Sequence, residues 1–220
     1  VVLLANWVKT NSDNLLFAVV QEVIGGEAGA RGISDPADLD RFTADQTTAF
    51  YGDFFFWVNL AALVLQSLGA SRVLKYGGFG ALFLALPALS LFAYPALALF
   101  PLLALFRLAK IAEDSTSYSL QNTAAQVLWL PTTREMKYKG KAAIDTFFVR
   151  AGDALAALTT FVAIQALALP PREFFVLNAI LSLAWLATAT IVIRENRALA
   201  ETPASHRPGR PPAATSAGSR

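Results

Sequence analysis

The chain has 220 residues, of which 55% are hydrophobic and 15% charged, with a mean hydropathy of +0.47. Soluble domains carry about 25% charged residues, so this composition excludes an ordinary water-soluble domain and predicts a membrane protein. There is no cysteine, which excludes a disulfide framework and a thiolate metal site, and the net charge of +2 says less than where Lys and Arg fall along the chain.

Val1 to Val23 is the first predicted span, apolar at both ends but filled in the middle by Asn6, Lys9, Thr10, Asn11, Ser12, Asp13 and Asn14. Either the helix stops near Lys9, or the polar block lines a cavity, since Lys and Asp within a membrane need a partner or water. Ile24 to Thr48 is rich in Gly and acid and is expected as a loop, with Ser34-Asp35-Pro36 as a helix start. The second span covers about 50–68, with aromatics at its beginning that suit an interfacial belt. Gly69 to Gly78 is expected as a short basic turn, and 77–93 as the third span, kinked near Pro87, with a turn at Tyr94-Pro95.

The fourth span, about 96–120, carries Arg107, Lys110, Glu113 and Asp114 at helical spacings of three and four. Pro131 to Gly140 is a basic loop. The fifth span, about 141–169, carries Asp145, Arg150 and Asp153, and Pro170-Pro171-Arg172 turns the chain into the sixth, about 174–193. No charge interrupts Tyr76–Phe106, Ala154–Pro171 or Phe174–Ile193, and apolar runs of about 18 residues or more are span candidates. Residues 200–220 are Pro, Ala, Ser and Gly with scattered Arg, too polar to bury a core, and are expected to form a disordered tail in which His206 has no catalytic role. The predicted fold is therefore an all-α membrane protein, a six-helix transmembrane bundle over 1–199.

Six spans give a clear orientation. One side receives Arg72, Lys75, Arg134, Lys137, Lys139, Lys141, Arg194 and Arg197; the other receives Arg31, Arg41 and Arg172. The positive-inside rule then places the basic loops and the C-terminus in the cytoplasm. The sole methionine is Met136 and the chain opens VVLLANWV with no basic leader, so it is expected to be the later part of a longer protein.

No phosphate loop, His/Cys cluster, H-E-x-x-H or nucleophile elbow is present, so an enzyme, a metal site and a cofactor are not expected. What remains is charge inside the apolar segments. An unpaired charge at mid-bilayer costs about 2.5–3.5 kcal/mol on insertion scales, so these groups should face each other or a watery cavity. Arg107, Lys110 and Arg150 are the candidate partners of an anionic substrate, and Asn122 and Gln126 its polar contacts. Lys9, Asp114, Asp145 and Asp153 are candidates for gating or proton coupling.

KIAEDSTSYSLQNTAAQVLWLPTTREMKYKGKAAIDTFFVRAGD (110–153) resembles the nucleotide transporters of plastids and intracellular bacteria, the ADP,ATP carrier proteins. The matching positions are Tyr118-Ser119-Leu120, Leu130-Pro131, Lys139 through Asp145, and Arg150 with Gly152; the likeness extends more weakly over 1–197. It implies the C-terminal half of a twelve-helix, major-facilitator-like carrier in a bacterial inner membrane. Its partners would be the lipid bilayer, an N-terminal six-helix half, and ATP, ADP or another phosphate compound, with no nucleic acid. Ala125 and Asp153 stand where the exchangers carry cations. Two alternatives stay open: a non-transporting receptor or docking module on the same scaffold, and a proton-coupled carrier of another solute using Asp145 or Asp153.

Overall fold

The computed structural model describes residues 1–128, 140–141 and 143–201; 93% of these are helical and none forms a strand, so the protein is all-α. Residues 131–139 of the basic loop predicted over 131–140, and residues 202–220 of the tail predicted over 200–220, His206 included, lie outside the described residues, as does the side chain of Asp145; residues 140, 200 and 201 are helical.

Helix α1 spans Val2–Ala30 without a break, so the polar block from Asn6 to Asn14 is helical and the first element runs past Val23 into the expected loop. It ends where Gly32 takes φ 69°: Gly32 N–H reaches Gly29 O at 3.1 Å and Ile33 N–H reaches Ala28 O at 3.1 Å. This is a Schellman stop, which needs a residue tolerant of left-handed φ. Helix α2, Pro36–Val64, starts as Ser34-Asp35-Pro36 suggests, with the Asp35 carboxylate accepting from the Ala37 and Asp38 amides at 2.9 and 3.2 Å.

The turn expected over Gly69–Gly78 is not there. A π turn at Leu65–Gly69 carries α2 straight into α3, Ala70–Leu99, and the chain breaks only at Gly78, with φ 69° and ψ −174°. Ala70, Arg72, Leu74 and Lys75 are sound helix formers, and Gly78 alone there takes the positive φ that a reversal needs. Likewise Pro95 lies inside α3, and the next break comes at Phe100–Leu102, where Pro101 keeps Phe100 out of the helical region and Leu102 is extended.

Helix α4, Leu103–Thr116, passes through a π turn at Ser117–Gln121 into α5, Asn122–Leu128. A further π turn at Ile144–Phe148 leads into α6, Val149–Phe161, and another at Val162–Ala166 ends it. Helix α7 runs over Pro171–Glu201.

The core lies where α3 packs on α7, α1 on α6 and α7, and α4 on α2. Leu82, Phe83 and Leu86 of α3 and Trp185, Ala189 and Ile193 of α7 are buried there, and the Phe106 and Phe175 rings meet edge to face at 5.0 Å. Val23, Leu102 and Pro170 line one cleft, which places the C-terminal part of α1 beside the 100–102 and 167–170 connections. At the other end Asn196 donates to Leu128 O at 3.2 Å, and Arg197 lies against Gly80 just past the Gly78 break. Successive rods therefore alternate in direction.

Among the described residues, two stretches are long and apolar enough to cross a membrane: Pro36–Leu99, which bends at Gly78, and Pro171–Arg197. Their most apolar windows have mean hydropathies of 2.0 and 2.1 and are only 44% and 33% buried. Their outward faces are hence apolar too, with Phe56, Leu63, Phe92, Ile180 and Ile191 well exposed. An exposed apolar surface of that extent is what lipid or another apolar partner covers.

Candidate functional site

Lys110 of α4 is the pivot of an ionic network sealed between α1, α3 and α4. Its side chain is 1% exposed, and its Nζ lies 2.6 Å from Asp13 Oδ1, 3.0 Å from Asp114 Oδ1 and 3.4 Å from Glu113 Oε2. Helical spacing puts Lys110, Glu113 and Asp114 on one face of α4. The uninterrupted course of α1 carries Lys9 and Asp13 there together: Lys9 Nζ is 2.9 Å from Asp13 Oδ2 and 3.4 Å from Asp114 Oδ1. From α3, Ser90 Oγ and Tyr94 Oη each donate to Glu113 Oε1 at 2.7 Å. The network thus joins two ammonium groups and three carboxylates, and Lys110, Glu113 and Asp114 are almost wholly withdrawn from solvent.

A cavity of about 590 Å³ opens against this network. Its polar lining comes from Asn6 and Lys9 of α1, Glu113 of α4, and Ser117, Gln121 and Asn122 at the π turn; Phe83, Leu86, Phe148 and Trp185 supply apolar walls. The π turn matters here, because one extra residue per turn re-aims the side chains that follow it, and such turns gather at functional sites. A second polar seam runs behind the cavity. Asn11 Nδ2 donates to Asn178 Oδ1 at 2.7 Å, and Asn178 Nδ2, Ser182 Oγ and Trp185 Nε1 lie on one face of α7, buried and without hydrogen-bond partners among the described residues. Across it, Ser12 of α1 is also buried.

The predicted residues divide sharply. Lys9 and Asn122 line the cavity, and Asp114 joins the network with Lys9 and Lys110. The Asn122 amide also donates to Tyr118 O at 3.1 Å. Lys110 is already matched by carboxylates rather than turned toward the cavity. Arg107 points to α2 instead, paired with Asp53 and set over the Phe50 ring at 5.7 Å. Gln126 is exposed on α5, away from the cavity lining. Arg150 is 82% exposed and lies 3.5 Å from Asp153, whose carboxylate is held by Asn6 and by Thr10 Oγ1 at 2.9 Å. Asp153 therefore ties α6 to α1. Asp145 belongs to the π turn that precedes α6.

Sequence reasoning missed Asp13 as an ion partner, and Ser90, Tyr94 and Trp185 altogether. Asp13 was legible as the i+4 neighbour of Lys9, whereas Ser90 and Tyr94 sit in an apolar run with no local signal. Among the described residues no group of three or more His, Cys, Asp or Glu side chains is placed to hold a metal ion. Neither a protein-family model nor a solved structure matches the chain.

Proposed function

We propose that the chain is one bundle of a multi-pass membrane carrier, crossing the bilayer six times, which binds an organic anion in the 590 Å³ cavity and moves it by alternating access. The observation that carries this reading is the pairing of an outward-facing apolar surface with an interior cavity that ends on a fixed ionic network. Polar and ionic groups so placed in a membrane bundle mark substrate or ion paths. The Pro36–Leu99 run crosses twice in this reading, reversing at Gly78.

The resemblance to nucleotide carriers makes phosphate compounds the first substrates to test. Lys9 is the cation of the described cavity lining, and a substrate phosphate would take it from Asp13 and Asp114. The exposed Arg150, beside the Asn6–Asp153 contact, would meet the same anion from the face toward a companion bundle. In liposomes holding the full-length protein, labelled ATP, ADP and inorganic phosphate should be taken up. Lys9→Gln and Arg150→Ala should each lower that uptake about tenfold or more, the worth of one charge-assisted contact. Uptake unchanged in Lys9→Gln would remove the cavity from the path. Binding without flux would favour a receptor or docking module, the reading to which Asp153 points, since it is engaged in packing where a cation was expected.

A further inference from the structure

We propose that the cleft at the Arg172 end of the molecule is a binding site for one phosphatidylethanolamine, its phosphate on Arg172 and its ammonium on Glu22. This rests on the membrane part of the reading above and is independent of transport.

The cleft holds about 390 Å³ between the C-terminal third of α1 and the starts of α4 and α7. Val19, Val23, Phe106 and Phe175 give it apolar walls. Its charged lining among the described residues is Glu22 and Arg172, of opposite sign. Both are exposed, and neither forms an ion pair among the described residues. Lys9, Arg107, Lys110 and Arg150 have each closed on a carboxylate, whereas here a carboxylate and a guanidinium share one cleft and stay apart. An apolar hollow rimmed by one charge of each sign complements a zwitterion with an apolar body.

The level of the cleft makes that zwitterion a lipid. Gln21, beside Glu22, donates to Thr47 Oγ1 at 2.9 Å, and Thr47 stands just ahead of the aromatic beginning of the apolar 50–68 run. Arg172 likewise stands just ahead of the charge-free run Phe174–Ile193. Helices α2 and α7 thus pass from polar to apolar at the height of the cleft, which under the membrane reading is the boundary between headgroups and acyl chains. Val23 and Leu102 on its rim are exposed, so acyl chains leaving the cleft continue onto the outward apolar face.

The two charges select among headgroups. The Arg172 guanidinium is a planar fork that matches phosphate oxygens, and α4 and α7 both begin here, so the positive ends of two helix dipoles add to it. Glu22 accepts from a primary ammonium, which carries three donors. Phosphatidylcholine has the cation but no N–H to give. Phosphatidylglycerol leaves Glu22 without a partner and beside a phosphate of like charge, and Glu173, exposed next to Arg172, disfavours an anionic lipid further.

The test counts retained lipid. Full-length protein is reconstituted in nanodiscs of phosphatidylethanolamine, phosphatidylglycerol and phosphatidylcholine in equal parts, moved to mild detergent and weighed by native mass spectrometry. The unaltered protein should keep one phosphatidylethanolamine that Arg172→Gln loses. Glu22→Gln should lower the preference for that lipid over phosphatidylglycerol about tenfold, the worth of one charge-assisted contact. Both side chains are exposed, so neither variant loses packing; a thermal melt of each verifies this. Retention unchanged in either variant, or equal retention of the three lipids by the unaltered protein, overturns the site. Phosphoethanolamine, the headgroup without chains, should fail to displace the lipid; displacement at equal concentration would make the ligand a free solute and overturn the lipid assignment. Protein that enters nanodiscs yet keeps no lipid overturns this site alone, whereas protein that stays in solution without detergent overturns the membrane reading itself.

Discussion

Lys110 shows how much a single residue can organise. A lysine with 1% of its side chain exposed keeps its charge only because Asp13, Asp114 and Glu113 surround it. Lys110→Met would fill the same volume and leave three carboxylates with Lys9 alone, and Glu113 with no ammonium partner. Removing one partner of a buried pair costs about 3–5 kcal/mol, so the variant should melt far earlier in detergent. Lys110→Met combined with Glu113→Gln should recover part of the loss. A double variant no more stable than the single one would show that the ions are not energetically joined. Half of this cluster was legible in the sequence, because Lys110, Glu113 and Asp114 are three and four apart on one helix. The other half depends on which helix faces which: nothing local to Tyr94, in a charge-free stretch, announces a hydrogen bond to Glu113 nineteen positions later. Arg107, Lys110 and Arg150 were expected to face either their own carboxylates or a watery cavity with an anionic substrate. Opposite charges were closer at hand, and each of the three found a carboxylate.

At the scale of elements, the contact between α1 and α6 is set by a missing side chain. A Cβ on Gly152 would stand 2.9 Å from Leu3 O, 2.9 Å from Asn6 Cβ and 3.2 Å from Trp7 N. Two of those atoms are α1 backbone and have no rotamer to yield. The close approach also brings Asn6 within reach of Val149 O at 2.9 Å, and Trp7 Nε1 within 3.0 Å of Thr159 Oγ1. Small residues serve this purpose in membrane bundles, where backbone proximity and interhelical hydrogen bonds drive association. Gly152→Val should push the helices apart and destabilise the protein by about 1–3 kcal/mol, the range for an overpacked site, measured by thermal unfolding in detergent. A variant as stable as the parent would mean that α1 and α6 can slide past each other freely. Element type was readable here from apolar runs, and the capped start at Asp35 was readable too, but several other element ends were not. Proline looked like a terminator at 95 and glycine at 69, yet helix persists through both, because the residues around them favour it and the breaks fall at Gly78 and Pro101.

For the whole molecule, the alternation of the rods and the distribution of cations point to the same arrangement. The end formed by the 31–35, 100–102 and 167–170 connections holds Arg31 and Arg172, while Arg72, Lys75, Arg194 and Arg197 gather toward the Gly78 end. Under the proposed membrane reading the Gly78 end is cytoplasmic. The absence of cysteine from these 220 residues makes this testable, since a single cysteine introduced here is the only one this part of the protein offers for labelling. Ser34 and Leu169 mark one end and Lys75 the other. In intact cells, Ser34→Cys and Leu169→Cys should react with a membrane-impermeant maleimide, and Lys75→Cys should react only after the membrane is opened. Gly78 makes the prediction sharp. If Pro36–Leu99 reverses there and crosses twice, positions 34 and 75 must label from opposite sides. Equal labelling of Ser34→Cys and Lys75→Cys in intact cells would mean that the run lies on one side of the bilayer, and the cavity with its ionic network would then not be a membrane path.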